Sequence, residues 1–327
     1  MRVLVTGGAG YVGSHACKAL ARAGHTPIVY DNLRTGHRWA VKWGPLEHGD
    51  ITDAARLIDA LRKHRPDAVM HFAALAYVGE SVVEPNLYYR NNVAGTLTLL
   101  DAMRAADVGK LVFSSTCATY GAPAATPIAE TAPQQPVNPY GRSKLMVEEI
   151  LRDYAAAFPL SAVALRYFNA AGADLDGEIG EAHDPEPHLI PLVLQTALGL
   201  RDHIEVYGDD YDTADGTCVR DYIHVADLAR AHVAALERGR ANGFAAYNLG
   251  TGRGASVKAV IDTARRVTGR NIAVRIGPRR AGDPPVLVAD ARMAGSALDW
   301  RPEHDSLEVM IKSAWRWMSR PGAEGSK

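Results

Sequence analysis

RVLVTGGAGYVGS, residues 2–14, decides the architecture of this 327-residue chain. The run RVLVT is short and mostly apolar, as expected of a buried strand. It stops at glycines. Gly7, Gly10 and Gly13 stand three apart, and Tyr11 to Ala23 then carries a helical pattern. TPIVYDN follows as a second strand and closes on Asp31 and Asn32. Strand, glycine turn, helix, strand and acid, in that order, form a dinucleotide-binding unit. The glycines let the backbone approach a pyrophosphate, and the helix N-terminus offers its free N–H groups. The candidate phosphate loop is Gly7, Gly10, Tyr11, Val12 and Gly13. Asp31 can bond the adenosine ribose hydroxyls and repels a 2′-phosphate, which favours NAD over NADP. Arg34 and Arg38 nearby weigh the other way.

Outward from this unit, further strands recur at α/β intervals. Residues 66–75, 110–116 and 161–169 are near-continuous apolar runs, and helices are expected over 53–64, 86–106 and 139–157. The fold class is therefore α/β, a doubly wound parallel sheet of the Rossmann type. Ligands of such sheets bind beyond the strand C-termini. Those ends carry Gly7, Asp31, Phe72, Ala73, Ala74, Ser114, Ser115, Thr116 and Asn169. Residues 170–218 differ in texture, being polar, strand-poor and rich in Gly and Pro. With 253–327 they are expected to form a smaller C-terminal lobe, leaving 1–169 and 219–252 to the dinucleotide domain. PGAEGSK, 321–327, reads as a disordered tail.

Composition narrows the class. A net charge of −1 implies no polyanion-binding surface, so no nucleic-acid partner is expected. No run approaches the ~20 apolar residues of a membrane span, and the apolar start is too short for a signal peptide. Cys17, Cys117 and Cys218 are odd in number and widely spaced. That argues for a reducing compartment, and the expected location is cytoplasmic. His183 and His188 lie beside acids, but no tight H-x-x-H or C-x-x-C spacing points to a metal.

NPYGRSK, 138–144, opens the helix that follows the serine strand. Tyr140 and Lys144 are four apart and share one helix face. A tyrosine with a pKa of ~10 needs about 4 kcal/mol of phenolate stabilisation to titrate near 7. An ammonium at ~4 Å in an effective dielectric near 20 supplies about that much. Tyr140 with Lys144 is thus a credible general base beside an oxidised nicotinamide. Thr116, with Ser115 in reserve, offers a hydroxyl to hold the substrate oxygen.

These features resemble the extended short-chain dehydrogenase/reductase superfamily. Within it the chain is similar to the UDP-glucose 4-epimerases over essentially its whole length. VTGGAGYVGSH, VYDNL, HFAALAYVGES, YYRNNVAGT, FSSTCATYG, NPYGRSK, LRYFNAAGA, GTCVRDYIHV, YNLGTG and RRAGDPP carry the likeness. The resemblance implies a resident NAD cofactor, a UDP-sugar substrate and a homodimer. It also implies a mechanism: Tyr140, helped by Thr116 and Lys144, deprotonates the sugar 4-hydroxyl while carbon 4 yields hydride, and the 4-keto sugar turns over before reduction.

By the same resemblance Phe72, Ala73, Ala74, Asn91, Ser114 and Tyr167 contact the cofactor, with Asn32, Asp50 and Ile51 at its adenosine end. Lys144 also bonds the nicotinamide ribose. Asn169, His188 and Leu189 meet the substrate, Arg220 and Arg280 its diphosphate, Tyr207 the uracil and Asp283 the uridine ribose. Leu287 stands where glucose-only members carry a bulky tyrosine, beside the sugar 2-substituent, so UDP-N-acetylhexosamines are an expected further substrate. UDP-xylose/UDP-arabinose is an alternative, and so is a non-catalytic NAD sensor. After Thr116 the chain reads Cys117 and Ala118. The acids that 4,6-dehydratases and UDP-glucuronate decarboxylases carry there are missing, and Cys117 reads as a small packed thiol. Ala76 replaces a lysine common in the family, which removes one expected phosphate contact.

Overall fold

The computed structural model of the chain describes residues 1–239, 242–280 and 282–320. The tail expected at 321–327 lies outside them.

Seven parallel strands form the main sheet. Six are β1 (Arg2–Thr6), β2 (Thr26–Asp31), β3 (Leu46–His48), β4 (Ala68–His71), β5 (Lys110–Thr116) and β6 (Ser161–Tyr167). With the strand Gly243–Leu249 they lie in the order Gly243–Leu249, β6, β5, β4, β1, β2, β3. The chain reverses its direction of winding between β1 and β4, so a crevice opens at their C-terminal ends. Burial explains why these runs are strands: β1 reads exposed once and then buried four times, and β4 is buried throughout. Both faces are covered. One core gathers Val3, Val5, Val29 and Met70 against the helices Tyr11–Arg22 and Val225–Arg238. The other gathers Leu4, Ile28, Val69 and Phe113 against Ala54–His64, Gly95–Ala105 and Pro139–Ala157.

Three expected elements differ. The run 66–75 is strand only over Ala68–His71; Phe72 and Ala73 then turn back, both donating N–H to Thr6 O. The helix expected over 86–106 is broken into Pro85–Tyr88, a π-turn at Tyr89–Ala94, and Gly95–Ala105. The run 161–169 ends at Tyr167, and Asn169–Ala171 leaves the main sheet to pair with Val219–His224.

Val219–His224 also pairs with Gly254–Ser256 and Val286–Leu287. A separate two-stranded ribbon joins Ile204–Tyr207 to Val274–Gly277. The helices Leu189–Ala197, Val257–Thr268 and Leu307–Met318 cover a third core that includes Val193, Val260 and Ile311. Among the described residues no helix is long and apolar enough to cross a membrane.

Candidate active site

The glycine turn is tight because nothing larger fits. Gly7 has φ +71°, and a Cβ there would stand 2.6 Å from Ala73 N. A Cβ on Gly13 would stand 2.1 Å from Gly7 O. The turn is thereby drawn against the end of β4 and against its own helix. Gly10 precedes Tyr11 and Val12 at the helix N-terminus with no side-chain cap, so the first N–H groups there face the crevice. This cradle fits the pyrophosphate of a dinucleotide.

Asp31, at the end of β2, accepts from Ala9 N at 3.0 Å and from Leu33 N at 2.8 Å. Burial raises its pKa, and these two N–H groups pull it back down. Each carboxylate oxygen keeps a further lone pair for a ribose hydroxyl. Asn32 donates to Asp50 Oδ2 at 2.7 Å, so the two residues expected at the adenosine end touch. Ile51 is buried and belongs to the core behind them.

At the other end of the crevice the helix Pro139–Ala157 starts on Asn138, whose side chain caps Gly141 N at 2.8 Å. Pro139 at the first helical position stiffens that start. At the second helical position, Tyr140 is half-buried, with Thr116 near its phenol. Burial pushes the phenol well up, Tyr167 adds to the rise, and Thr116 lowers it. Lys144 is buried and donates from Nζ to Ser114 O at 2.7 Å. Burial pushes its ammonium down to about 7, against an opposing pull from Glu148. Within the chain alone, burial disfavours both charged forms at once.

Ser114 bonds the Tyr167 hydroxyl. Ser115 does not remain in reserve for substrate, because its hydroxyl donates to the buried Glu148 carboxylate. Phe72 rests on the His232 ring at 4.6 Å. Asn91 lies in the π-turn and donates to Asn92 Oδ1 at 2.9 Å. Asn92 in turn ties Leu75 and Ser143 together. Ala73 and Ala74 follow Phe72 at the β4 exit and are half-buried. Cys117 packs with Tyr120, Ile128 and Phe168, and burial raises its thiol to about 12, as suits an inert packed thiol.

The residues expected at the nucleotide end of the substrate fall into contacting pairs. Arg220 and Asp283 form an ion pair at 2.5 Å. The Arg280 guanidinium sits 3.9 Å from the centre of the Tyr207 ring. Leu287 pairs in register with Arg220. Asn169 is half-buried opposite Tyr222. His188 immediately precedes the helix that Leu189 opens, without a side-chain cap bond. His188 Nδ1 approaches Glu181 at 2.7 Å and Glu186 at 3.0 Å.

Several residues that matter here carry no local sequence signal. Glu148 and Arg166 form a buried ion pair beneath Thr116. Glu148 is four beyond Lys144, and that spacing was the available clue. Glu181 and Glu186 were visible only as acids near histidines.

A glycine-cradled dinucleotide crevice with Thr116, Tyr140 and Lys144 at one end defines an NAD-dependent enzyme of the short-chain dehydrogenase/reductase type. Residues 3–250 match the sequence model of the NAD dependent epimerase/dehydratase family, and the chain belongs to that family. A UDP-glucose 4-epimerase of Rhizobium leguminosarum bv. trifolii is 54% identical, covering 97% of this chain and 97% of that one. The crystal structure of a Brucella ovis UDP-glucose 4-epimerase in complex with NAD is 55% identical with a TM-score of 0.93, over 96% of this chain and 97% of that one. The Bifidobacterium longum UDP-glucose 4-epimerase in complex with NAD+ and UDP is 41% identical with a TM-score of 0.94, over 99% of each chain. NAD is the cofactor of this family.

Proposed function

We propose that the chain inverts carbon 4 of UDP-hexoses, interconverting UDP-galactose and UDP-glucose. The observation that carries this reading is that the strand end of Ser114 and Thr116 meets the helix start of Tyr140 and Lys144, with Lys144 Nζ bonded to Ser114 O, in the crevice that also holds the glycine cradle and Asp31. Seated in that cradle, NAD supplies the acceptor and donor of hydride. The residues do the rest. Tyr140 Oη takes the proton of the 4-hydroxyl, and Thr116 Oγ1 holds the same oxygen. Proton and hydride leave O4 and C4, which gives a 4-keto sugar. Their return with hydride on the opposite face, and the proton given back by Tyr140, inverts the centre. Lys144 holds the base in place from below and bonds the nicotinamide ribose.

Arg220, Asp283, Arg280 and Tyr207 receive the UDP moiety, with Asn169, His188 and Leu189 along its path. The dinucleotide lobe, 1–169 with 219–252, and the substrate lobe, 170–218 with 253–327, meet at this crevice. Leu287 leaves room beside the sugar 2-position, so UDP-N-acetylhexosamines are accepted too. We also propose a homodimer through the helices around 86–106 and 139–157. Of Leu97, Leu100, Leu145 and Ile150, which the dimer reading offers on these helices, Leu100 is buried in the core. The location proposed is cytoplasmic and the role galactose metabolism.

The test offers purified protein UDP-galactose, UDP-N-acetylgalactosamine and UDP-arabinose without added NAD, followed by chromatography. UDP-glucose from UDP-galactose is expected. Conversion of the pentose alone would favour the UDP-arabinose reading, and no conversion even with added NAD would favour a sensor.

A further inference from the structure

Between the glycine loop and the helix Leu189–Ala197 the chain gathers Glu181, His183, Glu186 and His188. Their spacing is E-x-H-x-x-E-x-H, and one ligand atom from each lies within 4.8 Å of every other. Both imidazoles aim Nδ1 inward. His183 Nδ1 stands 3.1 Å from Glu181 and 3.6 Å from Glu186. His188 Nδ1 stands 2.7 Å from Glu181 and 3.0 Å from Glu186. A tetrahedral zinc with bonds of 2.0–2.1 Å has ligand–ligand edges of about 3.3 Å; Glu181 Oε1 lies 3.1 and 2.7 Å from the two Nδ1 atoms, while Glu186 meets them with different oxygens, Oε2 for His183 and Oε1 for His188.

Two observations point beyond an ordinary ion-pair cluster. The carboxylates are deeply enclosed, at 7% and 5% side-chain exposure, where a charge needs close compensation. Yet His183 Nδ1 is buried and makes no hydrogen bond of acceptable angle, despite its nearness to Glu181. Tyr77, whose buried hydroxyl also lacks a partner, packs edge-on against His183 at 5.8 Å. His188 is bonded to Glu186 through its backbone N–H and its Nδ1, at 2.9 and 3.0 Å, so His183 Nδ1 is the one ligand nitrogen of the cluster left without a hydrogen bond. Two imidazole nitrogens and two carboxylate oxygens form a donor set suited to a borderline divalent cation.

We propose that Glu181, His183, Glu186 and His188 bind one zinc ion at the rim of the crevice, separate from the reacting groups. The ion would fix residues 181–188 between Tyr11, whose ring centre lies 6.3 Å from that of His183, and the helix that begins at Leu189.

The test uses the full chain without a histidine tag, with its cofactor, after dialysis against chelator. Zinc uptake is read by competition with a chromophoric chelator, and cobalt(II) replaces zinc for visible spectroscopy. One zinc per chain is expected, with strong four-coordinate cobalt bands. His183→Gln and Glu186→Gln should each weaken zinc at least about tenfold while keeping NAD content and the far-UV spectrum. Uptake by the unaltered chain no greater than by these variants would overturn the proposal. So would the weak spectrum of six-coordinate cobalt, which needs no variant to fold.

Discussion

Arg166 reaches the Glu148 carboxylate with both Nε and Nη2, the latter at 2.6 Å, directly beneath the strand end that carries Thr116. The pair is almost wholly buried. The guanidinium also donates to the Tyr120 hydroxyl, Gln134 Oε1 and Glu130 O, and the carboxylate also accepts from Ser115 and Gln134 Nε2. Glu148 therefore couples β5, β6 and the helix of Tyr140 and Lys144. Removing one partner of such a pair leaves an uncompensated buried charge and costs about 3–5 kcal/mol. Glu148→Gln should lower the urea midpoint accordingly. It should also lower the Lys144 pKa further, since Glu148 is the group that holds it up. A variant as stable as the unaltered chain would show that the pair is not structural.

Tyr140→Phe keeps the ring, its edge contact with Tyr88 and the helix start, and removes only the hydroxyl. General acid–base catalysis contributes about 10²–10⁴-fold. The expected outcome is a fall of that size in kcat for UDP-galactose, with NAD still bound by absorbance. Retention of full turnover would move the base elsewhere.

Lys144 gives a pH dependence of defined sign. Its ammonium titrates near about 7 in the folded chain and at 10.5 ordinarily. Between those values the unfolded chain binds the extra proton, so stability rises with pH, at about 1.4 kcal/mol per pH unit. Below pH ~7 the buried charge carries its full penalty. Lys144→Met should remove this slope and, at neutral pH, stabilise the chain while abolishing epimerisation. Equal slopes in urea titrations of the two proteins from pH ~7 to ~9.5 would contradict the shift.

How much of this was legible beforehand follows from what each feature depends on. The glycine loop, Asp31 and the Tyr140–Lys144 spacing are short-range patterns, and periodicity alone exposes them. The π-turn at Tyr89–Ala94 was not visible, because the sequence there is helical in composition and the break serves Asn92, whose partners Leu75 and Ser143 are remote. The Arg220–Asp283 and Tyr207–Arg280 pairs join residues more than 60 apart, which no window can see. The phenol and ammonium of Tyr140 and Lys144 were placed correctly on one helix, yet their titration turned on burial, a property of the whole fold.

Gly13 tests the cradle directly. Its missing Cβ would sit 2.1 Å from a backbone oxygen, which cannot swing away as a side chain would. Gly13→Ala must spread the helix from the loop, at a cost of about 1–3 kcal/mol typical of overpacking. The purified variant should hold much less NAD than the unaltered chain. A full complement of NAD would mean that the loop relaxes at no cost to the cofactor.

Leu287 lies in register with Arg220 and packs against the cluster of Tyr120, Ile128, Phe168 and Ala289, on which Cys117 also rests, and its proposed place is beside the sugar 2-position. A tyrosine there adds a ring where an acetamido group would project. Steric exclusion in a pocket is worth about 1–3 kcal/mol per misplaced group. Leu287→Tyr should therefore cut kcat/KM for UDP-N-acetylgalactosamine by roughly 10–100-fold relative to UDP-galactose. Substrate competition in one vessel, read by chromatography, gives the ratio free of differences in enzyme concentration. An unchanged ratio would show that Leu287 does not border the 2-substituent.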